Sequence, residues 1–463
     1  MSVQTFVCTS AALCLATCAP ARAVDDAQKA HLLQFASERL AATAAAMDAT
    51  QSPELTNTDG TWATVANTNL YGWTQGFFPG ANWYLFDLTG SADAKARADR
   101  WTRSLEAQKT NTQTHDLGFK MYLSFGHAFR STGDAYYKDV LLTAAASLAS
   151  RYDSTIGVVV CCDWNPNWHR PVVADTMMNL ELLHWGAANG GNSAWRDMAV
   201  HHALKMMTDL VRPDGSTFHV LDYSTAGDIL FQGTDQGYSN SSTWTRGQAW
   251  VIYGYTLQYR YTGDRRMLTE AQKVADYYLA RLGDDPIPNW DFDAPTLHKD
   301  TSAAAAVASA LFELSGFVGD AATRDRYLQA ANRMLDALAS PAYLAEGTAN
   351  PAILLHGSKD VPRNKGVDVG LIYGDHYFLE ALARQRQPDA GAPPGAEDAG
   401  VADAGTAAGG SPGVGPGTSG PSTSGGGSGC ATGGNVSAVA ALLMGLAIAR
   451  FRRRGHRTGV RPI

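Results

Sequence analysis

Cysteine is scarce in this chain of 463 residues, which contains only 6 cysteines. Four of them lie towards the ends of the sequence, at Cys8, Cys14, Cys18 and Cys430. The remaining two, Cys161 and Cys162, are adjacent, so they cannot supply the long-range disulfides that stabilise small secreted folds. We therefore expect a fold that is held by its hydrophobic core. For the adjacent pair, two buried thiols are favoured over a vicinal disulfide.

An excess of positive charge and the common cofactor motifs are also missing. The formal net charge is −7, and the helical region has no stripe of Lys and Arg, which argues against nucleic acid as a partner. The sequence has no His-Glu-x-x-His, no Cys/His ligand spacing, no phosphate-binding loop and no Gly-x-Ser-x-Gly elbow. It therefore predicts neither a metal nor a cofactor, and it disfavours nucleotide-dependent enzymes and serine hydrolases.

No apolar run reaches the roughly 20 residues that a membrane-spanning helix needs. Residues 1–23 instead have the pattern of a signal peptide, because the apolar stretch 6–16 is followed by the small-x-small site Ala21-Arg22-Ala23. The start of this segment lacks Lys and Arg, and Cys18 offers the alternative of a lipid-acylated N-terminus. We expect the protein to be exported.

The C-terminal region has a different composition from the rest of the chain. Residues 388–434 are rich in Gly, Pro, Ser and Ala, which predicts a disordered linker. Residues 435–463 contain the apolar run Val436–Ala449 and then an Arg cluster ending at Arg454. With Cys430, these segments resemble the C-terminal sorting tags of myxobacterial surface proteins, which implies processing near Cys430 and anchoring at the cell surface. A simple membrane anchor is the alternative, and in either case membrane contact is expected only through this tail.

Between these ends, residues 24–387 show the three-to-four-residue apolar spacing that predicts helices. Short turns with Gly followed by Asp or Ser separate the members of successive pairs, since Gly ends a helix and Asp or Ser begins the next. The more apolar helices, expected on the inside, cover 77–88, 117–131, 175–188, 245–262, 300–317 and 373–386. The more amphipathic helices, expected outside, cover 26–48, 91–108, 134–152, 192–211, 264–282 and 320–339. Six such hairpins predict an all-α protein, an (α/α)6 barrel, in which the inner helix N-termini ring one mouth.

Two carboxylates are predicted to lie together at this mouth. Asp116, in His115-Asp116-Leu117-Gly118-Phe119, precedes one inner helix, and Asp175, in Ala174-Asp175-Thr176, precedes the next. Either Asp alone is adequately explained as a helix N-cap. Two at equivalent positions, one hairpin apart and flanked by aromatic residues, favour a pair for acid–base chemistry.

Aromatic and amide side chains accompany the carboxylates. The segment from Gln236 to Trp250 combines aromatic faces, which pack on sugar rings, with Arg246, which can bind a carboxylate through two parallel hydrogen bonds. Trp73 forms a further aromatic lip, and His219 follows a turn that can direct it to the mouth. Packing without ligand contact is the alternative for each of these residues. The combination predicts a site for a sugar acid.

In these segments the chain resembles the unsaturated glucuronyl hydrolases, glycoside hydrolase family 88, over about residues 30–386. The matching blocks are Trp73–Gly80, His115–Phe119, Asp175–Asn179, Gln236–Trp250, Asp300–Ala306 and Lys365–Asp375. The resemblance implies an enzyme that releases the terminal 4,5-unsaturated uronic acid from the oligosaccharides left by polysaccharide lyases, including glycosaminoglycan disaccharides. The implied reaction is hydration of the C4=C5 enol ether, after which the sugar–sugar bond breaks.

The resemblance also implies roles for individual residues. Asp175 is expected to be the acid and then the base, and Asp116 to bind ring hydroxyls and assist. The expected substrate-binding residues are Trp73, His115, His219, Gln236, Trp244, Arg246 and Trp250. We further expect a raised pKa for Asp175, because a second carboxylate and apolar walls would both favour its protonated form.

Several alternatives remain open at this stage. The related unsaturated rhamnogalacturonyl hydrolases differ around Arg-Gly-Gln-Ala-Trp, and an ordinary inverting glycosidase would use Asp116 and Asp175 about 6.5–9.5 Å apart. A surface sugar-binding protein without catalysis is a third alternative. The segment Gly357–Lys365 is read equally well as a sulfate contact and as a solvated loop. The sequence leaves the polysaccharide source and the oligomeric state open.

Overall fold

The computed structural model describes residues 24–163 and 165–385. The predicted signal peptide, linker and C-terminal apolar segment lie outside these residues and stay predictions. Within the described residues, no helix is both long and apolar enough to cross a membrane.

Six helical hairpins form the architecture, as the sequence predicts. The inner helices are α2 (Phe77–Thr89), a π-helical segment (Gly118–Gly126) continuing into α4 (His127–Thr132), α6 (Thr176–Asn179) with α7 (Glu181–Ala188), α9 (Thr245–Thr262), α11 (Thr301–Phe317) and α13 (Ile372–Arg384). The outer helices are α1 (Asp26–Ala46), α3 (Ala92–Ser104), α5 (Ala135–Ala149), α8 (Ala194–Asp209), α10 (Arg265–Leu282) and α12 (Ala321–Leu338). Each inner helix packs against the next, and α13 packs against α2, so the ring closes. The predicted (α/α)6 barrel is confirmed.

The turns between paired helices follow the predicted stop and start signals. Gly90, Gly133 and Gly263 end their helices with positive φ angles of 69°, 69° and 65°, a conformation that costs Gly little. The N-caps of the next helices are Ser91, Asp134 and Asp264. Each of these side chains accepts a hydrogen bond from a backbone N–H of the first turn. The turn before α12 differs, because α11 ends at Val318 in an extended conformation.

One inner helix departs from the expected α-helix. Gly118–Gly126 is π-helical, a geometry that often occurs at functional sites. A Cβ atom at Gly118 would lie 2.5 Å from the Cα atom of Asn179, so Gly permits the close approach of the two helices that follow the predicted carboxylates. The Asn179 Oδ1 atom accepts a hydrogen bond from the Phe119 backbone N–H at 2.8 Å.

Small antiparallel sheets, which the sequence analysis missed, surround the mouth. They are β1 (Gln51–Thr56) with β2 (Trp62–Ala66), β3 (Tyr152–Asp153) with β4 (Val158–Val159), and a three-stranded sheet of β5 (Arg170–Val173), β6 (Val220–Tyr223) and β7 (Ile229–Gly233) in that order. These strands have 2 to 6 residues, too few for a period-2 pattern to stand out against helical sequence.

Buried ion pairs join several of the inner helices. Arg260 of α9 pairs with Glu181 and Glu313, and Arg384 of α13 pairs with Glu313 and Glu380. Because each buried charge has a partner of opposite sign, these helices bury polar residues without leaving a charge uncompensated.

Candidate active site

A cavity of about 130 Å³ opens at the mouth predicted from the sequence. Its walls combine carboxylates, histidines, aromatic rings and an amide. The lining residues are Tyr71, Trp73, Thr114, His115, Asp116, Cys162, Val173, Asp175, His219, Asp235 and Gln236. Six of the nine predicted site residues are therefore brought together here: both Asp, both His, Trp73 and Gln236.

Asp116 is held in place by its own neighbours. The Thr114 hydroxyl donates to Asp116 Oδ2 at 2.7 Å, and His115 Nε2 lies 3.3 Å from Asp116 Oδ1. The other ring nitrogen of His115 is 2.9 Å from the hydroxyl of Thr176, the residue after Asp175. Burial lowers the pKa of His115, which favours the neutral ring. In the neutral ring, the Asp116 carboxylate favours a proton on Nε2, the nitrogen that faces it. The segments that carry the two carboxylates are thus joined through one histidine.

Asp175 meets His219 because of the register of the three-stranded sheet. Val173 pairs with Val220, and the Ala174 backbone N–H donates to the His219 carbonyl at 2.9 Å. Asp175, two residues after Val173, and His219, the residue before Val220, therefore line the same cavity, and His219 Nε2 lies 3.5 Å from Asp175 Oδ2. Strand pairing, rather than helix capping, sets this contact.

The hydrogen bonds of His219 define its tautomer. Its Nδ1 atom accepts from the backbone N–H groups of Asp235 and Gln236, both at 3.3 Å. Because a backbone N–H can only donate, the proton of a neutral ring is on Nε2, facing Asp175. His219 Nε2 thus faces Asp175 Oδ2 from 3.5 Å without forming a regular hydrogen bond, whereas Asp116 Oδ2 accepts a hydrogen bond of 2.7 Å from Thr114.

The pKa of Asp175 is lowered in the unliganded protein, which is opposite to the sequence-based expectation. Burial acts to raise the pKa of Asp175, but the neighbouring His219 and His115 rings and the Arg246 guanidinium together lower it by more. The prediction considered a second carboxylate and apolar walls and omitted these neighbours. It is wrong for the free protein.

Three predicted substrate-binding residues lie behind the cavity wall and do not line it. Trp244 is 4% exposed and packs on the His219 ring, with 4.3 Å between ring centroids. Trp250 is fully buried between Phe119 and Tyr377. Their positions match packing, the alternative interpretation of these aromatic residues, and the predicted substrate contacts of Trp244 and Trp250 stay predictions.

Arg246 is the third residue behind the wall, and its guanidinium is occupied by protein groups. It is 1% exposed, and it donates to Asp300 Oδ2 at 2.8 Å and to the carbonyl groups of Ser358 and Lys359 at 2.5 and 2.6 Å. It also donates to Gln236 Oε1 at 3.1 Å. These contacts occupy the guanidinium with protein groups and orient Gln236, and the predicted contact of Arg246 with a substrate carboxylate stays a prediction.

The sequence analysis did not assign Tyr71, Thr114, Cys162, Val173 or Asp235 to the site. Tyr71, Thr114 and Asp235 each lie within two residues of a predicted site residue, so sequence proximity was a usable signal. Val173, two residues before Asp175, has the same signal, whereas Cys162 comes from a loop segment without it. The structure also joins Cys161 and Cys162 in a vicinal disulfide. Both side chains pack in one buried cluster with Val173 and Val220. Because the two sulfur atoms are bonded, the expectation of two thiols is wrong.

Most polar side chains of the segment Gly357–Lys365 are already paired. The Ser358 hydroxyl donates to the Lys299 carbonyl at 2.8 Å, Lys359 pairs with Glu54, and Arg363 pairs with Asp235 and Asp360. Lys365 is exposed and lines a groove that shares Trp73 with the cavity. Both interpretations of this segment, a sulfate contact and a solvated loop, stay predictions.

A closed six-hairpin barrel whose mouth holds two carboxylates, each beside a histidine, together with an aromatic lip, defines a glycoside hydrolase of the (α/α)6 class. No family model matches the chain. Individual proteins and solved structures do match.

The unsaturated glucuronyl hydrolase of Formosa agariphila is 43% identical over 323 residues, which is 68% of this chain and 80% of that protein. The unsaturated chondroitin disaccharide hydrolase of Streptococcus agalactiae is 32% identical over 323 residues, or 67% of this chain and 81% of that protein. A solved unsaturated glucuronyl hydrolase specific for heparin has a TM-score of 0.74 and 37% identity, and the match covers 78% of this chain and 97% of that chain. The chain belongs to the unsaturated glucuronyl hydrolases, glycoside hydrolase family 88, as the sequence motifs predicted.

Proposed function

We propose that this enzyme removes the terminal 4,5-unsaturated uronic acid from lyase-generated disaccharides of glycosaminoglycan type, with Asp175 as the catalytic acid and base. The observation that carries the proposal is the placement of Asp175 and Asp116 in one cavity, with the two segments linked through His115 and Thr176. The family relatives bear the names of glucuronyl and chondroitin disaccharide hydrolases.

In the proposed reaction, protonated Asp175 donates its proton to C4 of the double bond, and positive charge develops at C5. The resulting carboxylate then takes a proton from water, whose oxygen forms a bond to C5. The hemiketal formed in this way opens, and the bond to the second sugar breaks. Asp116, fixed by Thr114 and His115, accepts hydrogen bonds from ring hydroxyls and holds the sugar against Asp175.

Recognition of the uronate carboxylate requires a donor other than the engaged guanidinium of Arg246. Gln236 Oε1 already accepts from Arg246, which leaves the amide Nε2 of Gln236 as a donor at the cavity wall. The inner helix N-termini add partial positive charge at the same mouth. We assign carboxylate binding to Gln236 with this favourable field, and stacking of the sugar ring to Trp73.

The test of this function is the ultraviolet absorbance of the C4=C5 bond in unsaturated chondroitin and heparin disaccharides, sulfated and unsulfated. Hydration removes the absorbance, whereas an ordinary inverting glycosidase would release sugars and leave the absorbance intact. Release of sugar without loss of absorbance would therefore replace our mechanism by the inverting one. No reaction and no binding with any of these disaccharides would reject the substrate class.

The lowered pKa of free Asp175 gives a prediction for the pH dependence of the reaction. The acid must be protonated, so the rate falls as pH rises through its pKa. A bound substrate brings its own carboxylate and excludes water, and both effects raise the pKa of Asp175. Since kcat/KM reports the free enzyme and kcat the enzyme–substrate complex, we expect the falling limb of kcat at higher pH than that of kcat/KM.

A His219→Asn variant serves as the control for this pH dependence. Asn can keep an acceptor for the two backbone N–H groups but removes the Nε2 donor to Asp175. The pKa of free Asp175 then rises, so the falling limb of kcat/KM should move to higher pH. Coincident limbs of kcat and kcat/KM in wild type, or a shift to lower pH in the variant, would contradict this account.

We also propose that the enzyme is exported and works at the cell surface or in the medium. The predicted signal peptide at residues 1–23 and the predicted tail support this location. The vicinal disulfide is an independent reason, since disulfides persist mainly in oxidising compartments. Fractionation of the native organism with an antibody against the barrel would locate the enzyme, and recovery in the cytoplasm alone would reject the proposal.

A further inference from the structure

The vicinal disulfide lies in the wall of the substrate cavity. Cys161 is fully buried and Cys162 is 6% exposed. Cys162 lines the cavity together with Asp116 and Asp175. Behind it, Val173 and Val220 complete a small apolar cluster that is separate from the main core. The sulfur pair therefore has one side in contact with the site and the other in a packed environment.

The backbone of the same pair connects the two segments that carry the carboxylates. The Cys161 N–H donates to the Pro171 carbonyl at 2.8 Å, and the His115 N–H donates to the Cys161 carbonyl at 2.7 Å. Pro171 belongs to β5, the strand that leads directly to Asp175. His115 precedes Asp116. The backbone of Cys161 is thus the spacer between the segment before Asp116 and the segment before Asp175.

The regularity of the backbone changes at this spacer. Before the pair, Arg151 Nε donates to the Val160 carbonyl at 2.7 Å, and the same guanidinium donates to the Thr112 carbonyl. A β-bridge also pairs Cys162 with Thr114. After the pair, the described residues up to β5 have no helix or strand. The disulfide lies at the change from paired to irregular backbone.

Closure of a ring between adjacent cysteines restricts both side chains and the peptide between them. In addition, a disulfide has no dissociable proton, so the wall at Cys162 stays uncharged beside two carboxylates and an anionic substrate. Two thiols would restore rotation and place ionisable groups there. A displacement of about 1 Å at a catalytic group costs on the order of 10²-fold in rate. A small shift of the spacer, which would move Asp116 relative to Asp175, is therefore expected to lower the rate.

We propose that the Cys161–Cys162 disulfide is a positioning element of the active site, which fixes the spacing of Asp116 and Asp175 and supplies an uncharged wall to the substrate cavity. This inference rests on the proposed function insofar as it takes these two Asp as the catalytic pair. The oxidised protein is then the fully active form, and the reduced protein binds and turns over substrate less well.

The experiment compares the purified full chain before and after treatment with dithiothreitol. Reduction adds two electrons and two protons to the disulfide, so that the S–S bond breaks, two thiols form and dithiothreitol becomes a cyclic disulfide. Alkylation and mass spectrometry of the Cys161–Cys162 peptide count the thiols in each sample. We expect about a tenfold or larger loss of kcat/KM on reduction, with a rise in KM, and recovery on reoxidation.

A Cys161→Ala/Cys162→Ala variant is the matched control. It lacks the ring but keeps an uncharged wall, so it should show a kcat/KM below that of the oxidised protein, without any response to dithiothreitol. A response of this variant would place the reductant's effect elsewhere. Unchanged kcat and KM in wild type that is shown to be reduced, or two free thiols in fully active protein, would overturn the proposal.

A binding measurement tests the role of the disulfide independently of the proposed function. Calorimetric titration of an unsaturated disaccharide into oxidised and reduced Asp175→Asn protein needs no turnover. Weaker binding after reduction supports the disulfide's role even if the assigned acid is wrong. Equal binding and equal wild-type turnover in both redox states reject the role of the disulfide and leave the function intact.

Discussion

Replacement of Asp175 by Asn is expected to lower kcat by about 10³-fold, because positioned general acid–base catalysis contributes roughly 10²–10⁴-fold and one carboxyl group serves both proton transfers here. Asn is nearly isosteric with Asp but cannot donate a proton to C4 or accept one from water. Its amide still fits beside His219 Nε2 at the present separation of 3.5 Å. We therefore expect KM to change little, so that the loss appears in kcat and kcat/KM alike.

Two further substitutions test whether the loss is chemical. Asp134→Asn removes a carboxylate of equal size from the N-cap of outer helix α5, where Asn caps equally well, and activity should be unchanged. Asp116→Asn should raise KM as well as lower kcat, because its proposed role is to hold the sugar. If Asp175→Asn keeps more than a tenth of wild-type kcat with an unchanged melting temperature, Asp175 is not the acid, and Asp116 becomes the first candidate.

The helical architecture was predictable because its signals are local. Apolar spacing, a Gly at a helix end and an Asp or Ser after it lie within a few residues of one another, and Gly90 with Ser91 or Gly263 with Asp264 needs no distant partner. The positions of Asp116 and Asp175 follow from the same logic, since the residue before an inner helix must lie at the mouth. These expectations survive in the structure.

The remaining features of the site depend on contacts between residues that are distant in sequence. Asp175 meets His219 through the pairing of β5 with β6, and neither strand is long enough to show a pattern. The engagement of Arg246 by the carbonyl groups of Ser358 and Lys359 joins positions more than a hundred residues apart. From the sequence alone, an Arg next to two Trp is equally consistent with a ligand contact and with a buried structural role. Only the contacts with Ser358 and Lys359 distinguish the two.

Replacement of Arg246 by Met is expected to destabilise the protein by roughly 3–5 kcal/mol, since removal of one partner of a buried ion pair leaves the other charge uncompensated. Asp300 is fully buried and Arg246 is 1% exposed, so water cannot replace the lost guanidinium. The carbonyl groups of Ser358 and Lys359 lose their donors in the same change. Thermal unfolding should show a fall in melting temperature of about 4–7 °C for a folded region of this size.

The double variant Arg246→Met/Asp300→Asn separates the structural role from a direct substrate contact. Asn at position 300 can still accept from the Ser302 N–H, which Asp300 contacts at 3.1 Å, but it carries no charge. The double variant should therefore regain much of the lost melting temperature, while KM stays raised because Gln236 has lost the donor that orients it. If Arg246 contacted the substrate directly, the single variant would instead unfold near the wild-type temperature and show the whole defect in KM. The melting temperature thus distinguishes a guanidinium that binds the uronate from one that holds Gln236 in place to do so.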